Sequence, residues 1–163
     1  MGVIHGPSRR VSWHLPSVVS GHIMSYLVAY VGALVLFVAM DFVWLSTMGA
    51  ALYRSTLGDL LATSVRLPSA IVFYLAYPVG IVVFAVLPAL RAESVLNALA
   101  LGTLFGALAY GTYDLTNYAT LRVWSLQITV VDIVYGALAS GVTALIVYYL
   151  VKGVAPWLGA TPG

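Results

Sequence analysis

No cysteine occurs in the 163 residues, which excludes disulfides, thiolate nucleophiles, iron–sulfur clusters and Cys-based zinc sites. Charge is almost as scarce. Seven Lys or Arg and five Asp or Glu make up 7% of the chain, where a soluble domain carries about 25%. So few charges cannot keep a 17.3 kDa globule in water. Histidine occurs only at positions 5, 14 and 22. The apolar stretches from Tyr26 onward therefore have none, which argues against haem, His-ligated zinc and di-iron clusters within them. Also missing are a Walker A loop, a Rossmann glycine pattern, a Gly-x-Ser-x-Gly elbow and the acidic repeat of a calcium loop. The basic residues form no run or stripe, so an isoelectric point near 9.0 does not indicate nucleic acid as a partner. Nothing in the pattern asks for a metal or a cofactor.

What the chain does have is apolar length. It is 62% hydrophobic, with mean hydropathy +1.02. Four apolar runs follow one another: Tyr26 to Met48, Ser69 to Leu90, Val95 to Tyr118 and Leu126 to Val151. Each approaches the ~20 residues needed to cross a hydrocarbon core, and backbone groups in lipid must be satisfied within the segment, so each run is expected to be helical. Aromatic residues near the expected ends (Tyr26, Tyr30, Trp44, Trp124, Tyr148, Tyr149, Trp157) suit the interface. Pro68 fits a first helical turn, and Pro78 predicts a kink. Leu52 to Val65, with Arg54 and Asp59 among leucines, reads as a short interfacial helix. The fold expected is an all-α integral membrane protein: four transmembrane helices, with that interfacial helix between the first two. Its parts are a polar N-terminal tail (1–23, with Met24 a candidate translation start), a transmembrane domain (24–152) and a short C-terminal tail (153–163). Sidedness turns on that start. With Arg9 and Arg10 present, the positive-inside rule puts the termini in the cytoplasm by one charge; without them it favours the opposite orientation.

Three aspartates interrupt the runs: Asp41 about seven residues before the end of the first, Asp114 a few residues before the end of the third, and Asp132 about six residues into the fourth. With alternating helix directions, all three fall roughly 6–11 Å below the same membrane boundary. A charged residue near a helix centre costs roughly 2.5–3.5 kcal/mol even on the lenient insertion scale. The acids are therefore expected to face the bundle interior, where they can share protons, hydroxyls or a bound cation. Helical spacing supports this. Gly102, Gly106, Tyr110, Asp114 (or Tyr113) and Asn117 share a face of the third helix, with Gly102-x-x-x-Gly106 as a close-contact motif. Asp132, Gly136, Ser140 and Thr143 form a matching stripe on the fourth. Bringing the stripes together puts Asp114 near Asp132. Asp41 and Trp44 join from the first helix, Tyr74 and Tyr77 from the second. Arg122, in the following loop, either neutralises Asp114 or meets an anionic headgroup.

The stretch Gly106 to Trp124, which contains YDLTN, resembles a bacterial family of predicted four-helix membrane proteins of unknown function. Met40-Asp41-Phe42-Val43-Trp44-Leu45, Phe73-Tyr74-Leu75-Ala76-Tyr77 with Gly80, and Val131-Asp132-Ile133-Val134-Tyr135-Gly136 carry the resemblance further, over about Met24 to Lys152. Tryptophan is usual in that family where Tyr135 stands. The resemblance implies the fold and the location of a site, and it brings no reaction with it.

The function expected from these residues is an acidic, aromatic-lined intramembrane pocket in a bacterial inner-membrane protein. It would bind a lipid-like or small amphiphilic molecule among the surrounding membrane lipids. The expected contacts are Asp41, Trp44, Tyr77, Tyr110, Tyr113, Asp114, Asn117, Arg122 and Asp132, with Asp114 and Asp132 the candidates for acid–base catalysis. Two other functions fit the same residues. One is a proton- or cation-coupled transporter, acting as a homo-oligomer. The other is a structural or assembly subunit whose aspartates pair with a membrane-protein partner.

Overall fold

The computed structural model describes residues 15–158, and among them every regular element is helical. Helix α1 spans Leu15–Met48. Helix α2 spans Leu67–Arg91, α3 Val95–Thr120 and α4 Leu126–Val154, the last followed by a 3-10 turn, Ala155–Leu158. All four are long and apolar enough to cross a bilayer, and large apolar side chains such as Phe42, Val72, Phe84 and Leu138 cover the outside of the bundle. In water such a surface would aggregate; in lipid it is solvated. This is an integral membrane protein.

Two differences from the sequence expectation concern α1. It begins at Leu15, inside the segment expected to be a polar tail, and so takes in His22; residues 1–14 and 159–163 lie outside the described residues. At its other end there is no loop setting off a separate interfacial helix. A π-helical stretch, Gly49–Arg54, carries directly on into a turn of α-helix, Ser55–Leu57, and a 3-10 turn, Gly58–Leu60. The apolar side chains Met48, Leu52, Tyr53 and Leu57 explain this continuity. They pack on Trp124, Ile128 and Val131 near the start of α4. Gly58, at φ +51°, marks the point where the α-helical turn gives way.

Pro78 lies within α2, where it removes the donor that the Tyr74 carbonyl would otherwise meet. A second π-helical stretch, Val82–Val86, follows one turn later, and α-helix resumes over Leu87–Arg91. Helix α2 approaches α3 mainly through this π-helical stretch and little through its first half. Space is thereby left between the early part of α2 and α3. Side-chain caps start the last two helices: Ser94 Oγ accepts from the Asn97 amide at 3.3 Å, and Ser125 Oγ accepts from the Ile128 amide at 3.1 Å.

The closest helix pair is α3 with α4, and the two small-residue stripes meet there. A Cβ added at Gly102 would lie 2.8 Å from both the Ala144 Cβ and the Ser140 carbonyl oxygen. One at Gly106 would strike the Gly136 carbonyl, and one at Gly136 would strike the Tyr110 ring. Lipid tails are as apolar as leucine, so such backbone approach supplies the packing energy that the hydrophobic effect does not. Against this pair, α1 and α2 pack Ala29, Ala33, Phe37, Ile81, Ala85 and Val86 into one core.

Candidate functional site

All three aspartates are withdrawn from the surface: Asp41 is 6% exposed, Asp132 4% and Asp114 0%. They are handled differently. Asp41 is ringed by tyrosines from the three other helices. Tyr74 of α2 donates to Oδ2 at 2.5 Å, while Tyr110 of α3 and Tyr135 of α4 donate to Oδ1 at 3.5 and 3.4 Å. One carboxylate thus ties the four-helix bundle together. The Tyr74 contact is the shortest of the three.

Asp132 is served by Tyr53, whose hydroxyl donates to Oδ1. Tyr53 in turn accepts from Trp44 Nε1 at 3.1 Å, making a chain from Trp44 through Tyr53 to Asp132. The indole of Trp44 also stacks on the Tyr135 ring, with centroids 4.1 Å apart and planes within 8°. Trp44 is therefore the mechanical link between the two carboxylates: its N–H serves the Asp132 chain, and its face fixes a donor to Asp41. Tyr77 adds a buried hydrogen bond to Ser140 at 2.9 Å and stacks on Phe37 at 4.4 Å.

Asp114 has no such support. Neither of its oxygens has a hydrogen-bond partner, and the only other buried side-chain polar atom left so among the described residues is Trp124 Nε1. The Arg122–Asp114 pair expected as one alternative does not form: Arg122 stays exposed in the α3–α4 connection, and neither oxygen of Asp114 has a partner.

Asp41 and Asp132 line one cavity of about 320 Å³. Trp44, Leu45 and Tyr53 complete its wall on the α1 side, Phe73 and Tyr77 line it from α2, and Ala109, Tyr110 and Tyr113 from α3. Leu45, Phe73 and Tyr113 are also exposed, so they form a rim at the protein surface. The cavity occupies the gap that α2 leaves before its π-helical stretch. Of the nine contact residues expected from sequence, Asp41, Trp44, Tyr77, Tyr110, Tyr113 and Asp132 meet here. Asp114, Asn117 and Arg122 lie outside its lining.

Two participants escaped the sequence. Tyr53 fell in the segment assigned to an interfacial helix. Tyr135 lies three positions after Asp132, on the same helical face, so its spacing was a usable signal.

Among known proteins, residues 26–149 match the family described as Predicted membrane protein (DUF2177). Neither the curated proteins nor the solved structures contain a match to the chain.

Proposed function

We propose an amphiphile-binding function for this chain, which belongs to the DUF2177 family of membrane proteins. In this function the cavity between α1, α2 and α3 takes the polar end of a lipid-like or small amphiphilic molecule from the bilayer. The observation that carries it is the composition of the cavity: two carboxylates and six aromatic side chains in its wall, with Leu45 and Phe73 exposed at its rim. Pockets for small molecules combine mostly apolar walls with a few placed polar groups. An amphiphile matches both ends of this one. Asp41 and Asp132 receive its polar end; Trp44, Tyr77, Tyr110 and Tyr113 enclose it. Asp114, outside the lining, is a candidate proton donor or acceptor together with Asp132. The cytoplasmic membrane of a bacterium is the proposed setting, supported by the resemblance carried by the YDLTN segment of α3.

The test is native mass spectrometry of the protein extracted with its own lipids, on wild type and Asp132→Asn. A reproducible adduct on wild type that Asp132→Asn loses, while remaining folded by circular dichroism, is the expected result. A wild-type chain that carries no adduct, or one that Asp132→Asn keeps undiminished, overturns the proposal. A co-purifying second polypeptide in place of a small adduct would favour the subunit function instead.

A further inference from the structure

We propose that the cavity selects its guest by charge, and that the polar end it takes is an organic ammonium group, primary or quaternary, on an apolar tail. This rests on the amphiphile-binding function above and names the class of guest.

The wall contains two carboxylates and no Lys, Arg or His. Every Lys and Arg among the described residues, from Arg54 to Lys152, lies near or beyond a helix end. The side chains that line the cavity therefore offer no positive charge. The hydroxyls of Tyr53, Tyr74, Tyr110 and Tyr135 satisfy hydrogen bonds without neutralising anything. Outside the lining, Asp114 is a third acid, fully buried and unpartnered. A carboxylate removed from water without a cation is costly, and a cationic guest supplies what the wall lacks.

The wall also distinguishes an organic cation from a metal ion. A hard metal ion asks for about six to eight oxygen donors, whereas the two lining carboxylates already have oxygens engaged by tyrosine hydroxyls. Six of the ten lining residues are aromatic: Trp44, Tyr53, Phe73, Tyr77, Tyr110 and Tyr113. Ring faces within about 6 Å attract an ammonium group, and desolvation strengthens the attraction. Volume agrees. At about 320 Å³, the cavity sits at the lower end of the roughly 300–1,000 Å³ typical of small-molecule pockets. It holds a compact head and leaves the tail to pass out over Leu45, Phe73 and Tyr113.

The experiment uses the full chain in dodecyl maltoside, whose sugar head carries no charge. It is titrated with two probes of equal tail length: dodecyltrimethylammonium and the neutral dodecyl glycerol ether. Native mass spectrometry reads the occupancy. The expected result is one saturable ammonium adduct per chain, bound at least tenfold more tightly than the neutral probe. Asp41→Asn and Asp132→Asn should each reduce that preference several-fold. Trp44→Leu keeps both acids and serves if those variants fail to fold; it should cost the ammonium probe about threefold or more through the lost ring face. Equal binding of the two probes overturns the charge inference and leaves an amphiphile site standing. Absence of saturable binding by either probe overturns both. A wild-type preference that Trp44→Leu and the aspartate variants leave unchanged also overturns the inference, because the selectivity would then arise elsewhere.

Discussion

Tyr53, in the π-helical stretch beyond the first membrane-spanning helix, donates its phenolic hydrogen to Asp132 of the fourth helix, 79 positions along the chain. The same oxygen accepts from the Trp44 indole. One hydroxyl thus satisfies a buried acceptor and a half-buried donor at once.

Replacing Tyr53 with Phe should therefore harm two groups. Leaving a buried polar atom unsatisfied costs about 1–3 kcal/mol, so Tyr53→Phe is expected to lower the thermal midpoint in detergent measurably. Trp44→Phe should be less than additive with it. In a double-mutant cycle the coupling is expected within the roughly 0.5–3 kcal/mol seen for residues of one network. Additive losses would mean that Trp44 and Tyr53 act independently.

The three tyrosines around Asp41 should not be equivalent. Tyr74 approaches at 2.5 Å, Tyr135 at 3.4 Å and Tyr110 at 3.5 Å. Tyr74→Phe is expected to destabilise most, by about 0.5–1.5 kcal/mol for one hydrogen bond, and Tyr110→Phe clearly less. Equilibrium unfolding in mixed micelles gives the order, and a reversed order would contradict the ring as described.

Asp114 should behave in the opposite sense to Asp41. With no partner to lose, Asp114→Leu is expected to be neutral or stabilising, because well-packed apolar groups commonly match or better a buried polar one. Asp41→Leu strands three tyrosine hydroxyls and should be strongly destabilising. Thermal unfolding of the pair decides it. A large loss at Asp114 would reveal a partner that these contacts do not include.

At the α3–α4 seam, Gly106→Ala pushes a methyl group into the Gly136 carbonyl. Overpacking typically costs about 1–3 kcal/mol, and backbone yields less readily than a side-chain tip. Gly153 has open space around it, so Gly153→Ala should leave the midpoint unchanged and serves as the control.

Much of this arrangement was legible in the residue string, and the parts that were not have identifiable physical reasons. Membrane spans are written in composition, since twenty apolar residues in a row admit few other fates. The Gly102/Gly106 and Gly136/Ser140 stripes were legible because small residues recur at helical spacing. Asp41 and Asp132 could be brought into one layer by counting residues from the helix ends. Counting could not choose between Tyr113 and Asp114, which sit side by side on a helix that is apolar nearly all round and so carries little amphipathic signal. Tyr113 faces the cavity, and Asp114 lies outside its lining. Nor could it foresee Tyr53. Arg54 and Asp59 gave that stretch an interfacial look, while the burial of Leu52 and Tyr53 against Trp124 and Ile128 depends on how α4 is placed.

The π-helical stretch at Gly49–Arg54 also makes the chain sensitive to its own length there. Each residue of an ordinary helix advances the azimuth by roughly 100°. Removing a single residue would therefore swing Tyr53 about the helix axis, away from its acceptor, while scarcely shortening the span. Insertions and deletions in this short stretch would act as rotations. Their effect on Asp132 would be felt without any change to the aspartate, its neighbours or the greasy exterior.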